Sequence, residues 1–418
     1  MKSLVIRFFL CCKSAGVIMK INKIHLENHP LFGTMDIDFT EPDGKTLDTI
    51  VIAGINGTGK TTLLETIFEI GTNSSARNIY TDSYLGIDLT YLYKKRTIDS
   101  HYNASYNHDG GKRIEFLYDK FREIDAQKRP RFVYMPTKIN FDRFQKITLS
   151  FERDYSFRNI VEQDIIIDIP SYIATTINNE VYKYSDLPAK QAIEKVCDGI
   201  NSLFDILEMD ARMVGLNPEG EKLPIFKNSA GKVFDINQLS SGEKQLFVRA
   251  MALRMLGANN SVILIDEPEI SMHPAWQQRI VKVYEKIGNN NQVIIATHSP
   301  HVVASVPKES VKLLKRENGQ IKVVEYDEIN GSYGLPVDIV LKELMELDTV
   351  RDPEVDKEIR ELWDMLHRKQ HETKAFSERY KKLENLLGSE DEDLLLMRIE
   401  IAKLKSGKEK GNAGDKKG

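Results

Sequence analysis

The sequence predicts an α/β fold in which helices cover a largely parallel sheet. Three observations carry this. A short apolar run at 49–53 leads into a glycine-rich loop at 54–61 and then a helical pattern over 61–70. An apolar run at 262–265 follows a helical stretch at 243–256. Another at 293–296 follows a helical stretch at 276–287. Apolar strands alternating with helices imply a parallel sheet whose strands are buried on both faces.

The bulk properties bound the class. The chain has 418 residues, 41% of them hydrophobic, with a formal net charge of −4. That is enough for one large domain with insertions or for two to three small ones. The charge excludes a global basic field, so nucleic-acid contact would need a local patch. The three cysteines, Cys11, Cys12 and Cys197, have neither disulfide nor metal spacing, which fits a reducing, cytoplasmic compartment. No apolar run approaches the ~20 residues of a membrane span, so no membrane partner is expected.

The elements follow in order. Residues 1–18 read as an unstructured extension, because the strand pattern begins at Met19. Strands are expected at 20–26, 34–39 and 48–53. Residues 72–130 read as an antiparallel β insertion, with strands near 87–93 and 113–118 and a hairpin at Gly110-Gly111. Another strand covers 132–136. Residues 150–235 read as a helical lobe; Ile193, Val196, Ile200, Leu203 and Ile206 fall at helical spacing.

From residue 311 a C-terminal region runs to 404. It opens with a hairpin around Asn318-Gly319. Val355, Ile359, Leu362 and Leu366, then Phe376, Tyr380, Leu383 and Leu387, step by four and three. That pattern fits one long helix or a helical hairpin broken near His371. Residues 405–418, rich in lysine and glycine, read as disordered.

Gly54-Ile55-Asn56-Gly57-Thr58-Gly59-Lys60-Thr61 fits a phosphate-binding loop. Its glycines let backbone N–H groups close on phosphate oxygens, and Lys60 adds a point charge. The Thr61 hydroxyl suits Mg²⁺. The helix that follows, with Thr62 in its first turn, points its positive end at the same anion. The bland alternative, a glycine turn before a helix, is weakened by the buried strand in front.

The strand at 262–265 ends in Asp266 and Glu267. Alone, such a pair is often a solvated strand end. About two hundred residues after a phosphate loop, Asp266 suits Mg²⁺ and Glu267 suits a general base for the attacking water. Ser240, Ser241 and Gly242 open the helix at 243–256, where unpaired donors suit a terminal phosphate, although in isolation plain helix capping by Ser240 or Ser241 is the favoured reading. His298 follows the strand at 293–296 and suits a hydrogen bond to a γ-phosphate.

The order of phosphate loop, Leu239-Ser240-Ser241-Gly242-Glu243, apolar strand with Asp266-Glu267, and apolar strand with Thr297-His298 resembles the ABC-type ATPases, in the soluble branch with SMC, RecF and OLD-like proteins. The resemblance covers roughly 19–310. It implies an ABC-type P-loop NTPase fold with an antiparallel β subdomain, a helical signature lobe and a C-terminal helical extension. It also implies ATP hydrolysis in a head-to-tail dimer, with each ATP between Gly54–Thr61 of one copy and Ser240–Gly242 of the other. Ser240 inherits the γ-phosphate contact. Ser271-Met272-His273-Pro274 matches the segment crossing the dimer interface, so His273 is an interface residue rather than a metal ligand. The Mg²⁺-sensing glutamine stays open among Gln127, Gln145 and Gln163. Phe32 is equally an adenine-stacking group or core.

Residues 311–418 lack the clustered carboxylates of a Toprim nuclease and any His-Asn-His pattern, so the chain is not expected to cut nucleic acid itself. His367 and His371 read as a solvated helix face. Ser332-Tyr333-Gly334 and Arg351-Asp352-Pro353-Glu354-Val355 look like the C-terminal region of PtuA-type anti-phage defence ATPases of Septu and retron systems. That resemblance implies a homodimer or higher oligomer, a separate nuclease subunit of HNH type, and DNA or retron nucleic acid as further candidate ligands. The runner-up is a RecF- or SMC-like DNA-handling ATPase, with Lys94-Lys95-Arg96 and Lys128-Arg129-Pro130-Arg131 as its basic patches. A transporter subunit fits less well with the β insertion and the helical tail.

Overall fold

The computed structural model describes residues 16–72, 83–93, 96–105, 121, 124, 128–139, 156–184, 186, 188–218 and 223–414. The chain divides into two compact units, Met1–Val340 and Leu341–Gly418.

The first unit opens with β1 (Gly16–His29), β2 (Gly33–Asp38), β3 (Thr49–Ala53), α1 (Lys60–Thr72), β4 (Tyr84–Tyr93) and β5 (Arg96–Ser105). β1 begins before Met19. Val17 is fully buried, so residues 16–18 belong to the strand and not to an unstructured extension. An antiparallel sheet runs in the order β2-β1-β4-β5. β4 pairs with β5, with Tyr93 opposite Arg96. The strand expected at 113–118 and its Gly110-Gly111 turn lie outside the described residues.

β6 (Phe132–Met135), β7 (Arg158–Ile160), β11 (Val262–Asp266), β12 (Gln292–Thr297), β13 (Val311–Glu317) and β14 (Gln320–Val324) join β3 in a seven-stranded sheet, ordered β14-β13-β3-β12-β11-β6-β7. Only the β13–β14 pair is antiparallel. Every residue of β3, β11 and β12 is buried, as interior parallel strands require. The β13–β14 hairpin extends this sheet rather than opening a separate C-terminal region. Val311, Leu313 and Leu314 are too apolar for a solvated strand and pack beside β3.

α1 packs on β6, β11 and β12 and also meets β4 and β5. Gln292 links the two sheets. Its amide exchanges hydrogen bonds with Ile21 (2.7 and 2.8 Å) and donates to the Leu47 carbonyl, so no buried polar atom is stranded at that seam.

The lobe between β7 and β11 contains α2 (Gln163–Ile167), α3 (Ile169–Lys183) and α4 (Ala189–Asp205). Its last part is not helical. β8 (Arg212–Leu216), β9 (Pro224–Lys227) and β10 (Val233–Asp235) form a small antiparallel sheet. These runs are too short for stable helices, and β pairing sets Met213 opposite Phe226, both buried. α5 (Ser241–Met255) then runs through the interior, with every residue from Leu246 to Leu253 buried.

The helix expected over 276–287 is two pieces, α6 (Pro274–Gln277) and α7 (Ile280–Glu285). The chain leaves helical geometry at Arg279, whose guanidinium pairs with Glu208 at 2.7 Å and reaches the Ile206 carbonyl. α8 (Pro300–Val303) follows β12.

The second unit contains α9 (Pro353–His367), α10 (Lys374–Leu387) and α11 (Glu392–Gly414). Leu362, Leu366, Phe376, Leu383, Leu394 and Met397 form its core. The stepped pattern is therefore a hairpin, and Thr373 starts its second arm by capping the Phe376 N–H. α11 continues past residue 405 to Gly414, where composition predicts disorder; a helix needs only its own backbone ladder to continue a Lys-rich run. His371 is buried in the turn before α10 and not on a solvated helix face. His367 stacks on Trp363.

Candidate functional site

Parallel register brings the candidate residues to one end of the large sheet. Thr297 stands opposite Ala53, and Asp266 opposite Ala296. The residues following β3, β11 and β12 therefore leave side by side, at the carboxyl ends where open α/β sheets bind ligands.

Three carbonyls of the loop after β3 accept from basic side chains. Lys60 Nζ donates to the carbonyls of Gly54 (2.9 Å) and Ile55 (3.1 Å), and Arg316 Nη2 donates to that of Gly57 (3.0 Å). Backbone N–H groups of such a loop suit an anion. Gly59 is required twice over. Its φ is +86°, and a Cβ there would lie 2.5 Å from Leu31 Cδ2 and 2.9 Å from Phe32 Cζ. Burial lowers the Lys60 ammonium pKa, opposed by the nearby Glu267, Asp266 and Glu269 carboxylates. Asn56, Gly57, Thr58 and Thr62 sit in the same loop and first helical turn.

Asp266 is the buried acid of the site. Thr61 Oγ1 donates to its Oδ2 at 2.9 Å, and the Thr137 hydroxyl donates to the same oxygen. Its Oδ1 is buried without a hydrogen-bond partner. A stranded carboxylate oxygen beside a threonine hydroxyl suits a hard cation, which takes oxygen ligands and fills its remaining positions with water and phosphate. Among the described residues no cluster of three or more His, Cys, Asp or Glu side chains forms a metal cage. Burial raises the Asp266 pKa, and the Thr137 and Thr61 hydroxyls act against it. Fully buried Arg249 of α5 donates to the Asp266, Pro136 and Thr137 carbonyls, tying the helix to both strand ends.

Glu267 sits at φ +43°, in the left-handed region that non-glycine residues seldom occupy. A non-glycine residue there stores about 1–3 kcal/mol, typical of functional turns. Its Oε1 meets His298 Nδ1 at 3.0 Å. The His298 side chain is 44% exposed and that of Glu267 is 21%, so both can reach an incoming group.

Ser240 caps α5, and its capping box with Glu243 uses both the serine N–H and hydroxyl. These hydrogen bonds are local. Among the described residues none joins 240–242 to 54–62. Gly242 presses on the segment after β11, where an added Cβ would stand 2.5 Å from the Ser271 carbonyl oxygen. His273 caps α6, accepting from Ala275 N–H, and so is occupied in shaping its own turn.

Several sequence candidates are not at the site. Gln127 and Gln145 lie outside the described residues. Gln163 is exposed at the start of α2. The side chain that reaches Asp266 from the end of β6 is Thr137. Phe32 is 5% exposed and packs against Gly59 and His29, leaving no free face for adenine. Arg131, counted in a basic patch, is buried and reaches the Ser156 carbonyl. Thr137, Arg249, Glu269 and Arg316 were not legible as site residues. The one available signal was Glu269, an acid placed directly after Asp266-Glu267-Pro268.

Residues 137–304 match the family model described as "AAA domain, putative AbiEii toxin, Type IV TA system". The chain is 24% identical to the "Septu protein PtuA" of Bacillus thuringiensis, over 84% of this chain and 91% of that protein. It is 32% identical to the "Retron Ec83 probable ATPase" of Escherichia coli, over 40% of this chain and 32% of that protein. The SMC head domain from Thermotoga maritima aligns over 73% of this chain and 98% of that one, with 14% identity and a TM-score of 0.39. The chain is thus similar to a Septu PtuA protein and to a retron ATPase. Its fold is α/β with a largely parallel sheet. No helix among the described residues is long and apolar enough to cross a membrane.

Proposed function

We propose that this chain binds and hydrolyses ATP with Mg²⁺, in a head-to-tail pair of copies, as the regulatory ATPase of an anti-phage defence system whose nuclease is a separate subunit. The observation that carries the reading is the convergence of Lys60, Thr61, Asp266, Glu267 and His298 at the carboxyl end of the large sheet. The loop N–H groups and Lys60 hold the β- and γ-phosphates. Thr61 and Asp266 would hold Mg²⁺, which would supply charge neutralisation for phosphoryl transfer. Glu267 takes the proton of the attacking water. His298, whose Nδ1 meets Glu267, presents its Nε2 to the γ-phosphate.

Among the described residues Ser240–Gly242 have no hydrogen bond to the phosphate loop. By the ABC-type resemblance they act on a second copy's nucleotide, with Ser240 exchanging its Glu243 contact for the γ-phosphate. The similarity to a Septu protein over most of its length supports the defence role; a separate nuclease of HNH type is what the PtuA-type sequence resemblance implies. The helical second unit offers a surface for oligomerisation or for that partner. Burial of Arg131 weakens the DNA-handling alternative.

The test is the Glu267→Gln chain. With ATP it should bind nucleotide, turn over about 10²–10⁴-fold more slowly, and elute as a larger assembly on size exclusion. An unchanged elution volume with ATP would reject the two-copy site. Affinity purification from the native host then identifies the partner; a membrane protein in place of a nuclease would reject the defence reading.

A further inference from the structure

One buried acid beside the site has no role in the scheme above. Glu269 lies in the turn between β11 and α6 and is only 4% exposed. Its Oε1 accepts from the Thr297 hydroxyl and from the His298 backbone N–H (3.2 Å), and stands 3.8 Å from His298 Nδ1. Its Oε2 is buried without a hydrogen-bond partner.

The surroundings form a latch between two segments. The Thr297 hydroxyl also accepts from Ser299 N–H at 2.9 Å. Ser299 Oγ donates to Gln277 Oε1 at 2.7 Å, and Gln277 Nε2 returns to the Met272 carbonyl at 3.0 Å. The turn carrying Glu267 and the loop carrying His298 are thereby fastened together, with Glu269 at the centre. Stability alone argues against an acid here. Leaving a buried polar oxygen unpaired costs about 1–3 kcal/mol, and an apolar side chain of similar size would avoid it. Burial also raises the Glu269 pKa, with the Thr297 hydroxyl and His298 pulling the other way.

We propose that Glu269 is a positioning residue for hydrolysis, holding the Thr297–His298 backbone so that His298 Nδ1 faces Glu267 Oε1 at 3.0 Å. It acts through His298. The inference rests on the reading of Glu267 and His298 as hydrolytic residues. Its chemistry is specific. One acceptor oxygen serves both a hydroxyl and a backbone N–H, so any side chain that supplies that oxygen should serve. A misplacement of about 1 Å at a reacting group costs on the order of 10²-fold in rate.

The experiment compares ATP turnover at saturating ATP and Mg²⁺ in full-length Glu269→Gln, Glu269→Met, Thr297→Val and Glu267→Gln. Glu269→Gln keeps an acceptor oxygen and should stay within about threefold of the native rate. Glu269→Met fills the same space without the acceptor, and its kcat should fall about 10- to 100-fold with KM for ATP unchanged. Thr297→Val removes the hydroxyl from the other side of the latch while keeping its volume, and its kcat should fall in the same direction. A native kcat in Glu269→Met overturns the inference. Equal losses in the Gln and Met variants do so too. Should the Met variant fail to fold, a native kcat in Thr297→Val overturns it instead. Glu267→Gln separates the two levels. Native turnover there defeats the hydrolytic site itself, whereas its loss beside native Glu269→Met turnover defeats only the positioning role.

Discussion

Thr61 Oγ1 donates to Asp266 Oδ2 at 2.9 Å, joining residues 205 apart in sequence. The phosphate loop and the acidic strand end are therefore one site. If a divalent cation completes it, chelation should stop turnover and Mg²⁺ should restore it. Asp266→Asn keeps acceptors for Thr61 and Thr137 but removes one of the three carboxylates that act on Lys60. Its turnover should fall on the order of 10²–10³-fold, with the Mg²⁺ dependence shifted to higher concentration. Native turnover in excess EDTA would end the metal assignment.

Lys60 is held ready. Its ammonium rests on the Gly54 and Ile55 carbonyls, two acceptors that a phosphate would replace with a charged one. Charge-assisted hydrogen bonds contribute about 1.5–3 kcal/mol, so Lys60→Ala should weaken ATP binding roughly 10- to 100-fold. Calorimetric titration with a non-hydrolysable analogue reads this directly. Undiminished affinity would show that phosphate binds elsewhere.

The turn that supports Gly59 carries an acid-sensitive group. His29 Nδ1 accepts from the N–H groups of Leu31 (3.2 Å) and Phe32 (3.3 Å), the residues pressed against Gly59. Burial lowers the His29 pKa, so the fold binds protons less readily than the unfolded chain. Above the unfolded value near 6.5 both states are neutral and nothing is lost. As pH falls through about 6.5 the unfolded state gains a proton first, and stability declines until the folded imidazole also titrates. Thermal melts from pH 8 to pH 5 should show this decline, and His29→Asn should flatten it. A native-size decline in that variant would place the acid sensitivity on another group.

Much of this was legible because phosphate chemistry confines residue choice locally. A loop of glycines before Lys60-Thr61 and a strand ending in Asp266-Glu267 each announce themselves within a few residues. The structure then adds the register that sets them side by side. What stayed hidden depends on distant contacts. Nothing around Arg249 or Thr137 marks them, because both act on Asp266 from other elements. The β13–β14 hairpin looked peripheral because pairing with β3 is a long-range choice that no local pattern encodes. The start of β1 was missed because Gly16 weakens a strand pattern that pairing with Leu92 restores.

Gly242 gives the last prediction. It opens α5, whose N-terminal serines are proposed to meet the second copy's nucleotide. Its missing Cβ lets α5 approach the Ser271 carbonyl, and a methyl there would lie 2.5 Å from that oxygen. The obstacle is backbone, and Ser271 itself sits at φ +63°, so the turn has little room to yield. Gly242→Ala must therefore move the helix start away from the turn that carries Glu267. Overpacking of this kind costs about 1–3 kcal/mol, which should appear as a lower Tm. Displacement of the serines should also prevent ATP-driven pairing of copies in a Glu267→Gln background. Gly257→Ala is the control, since nothing lies within 4 Å of its added Cβ and only its φ of +60° is strained. Gly257→Ala should lower Tm yet leave pairing intact. If Gly242→Ala pairs normally on ATP, the close contact with Ser271 serves stability alone and does not set the second copy's docking face.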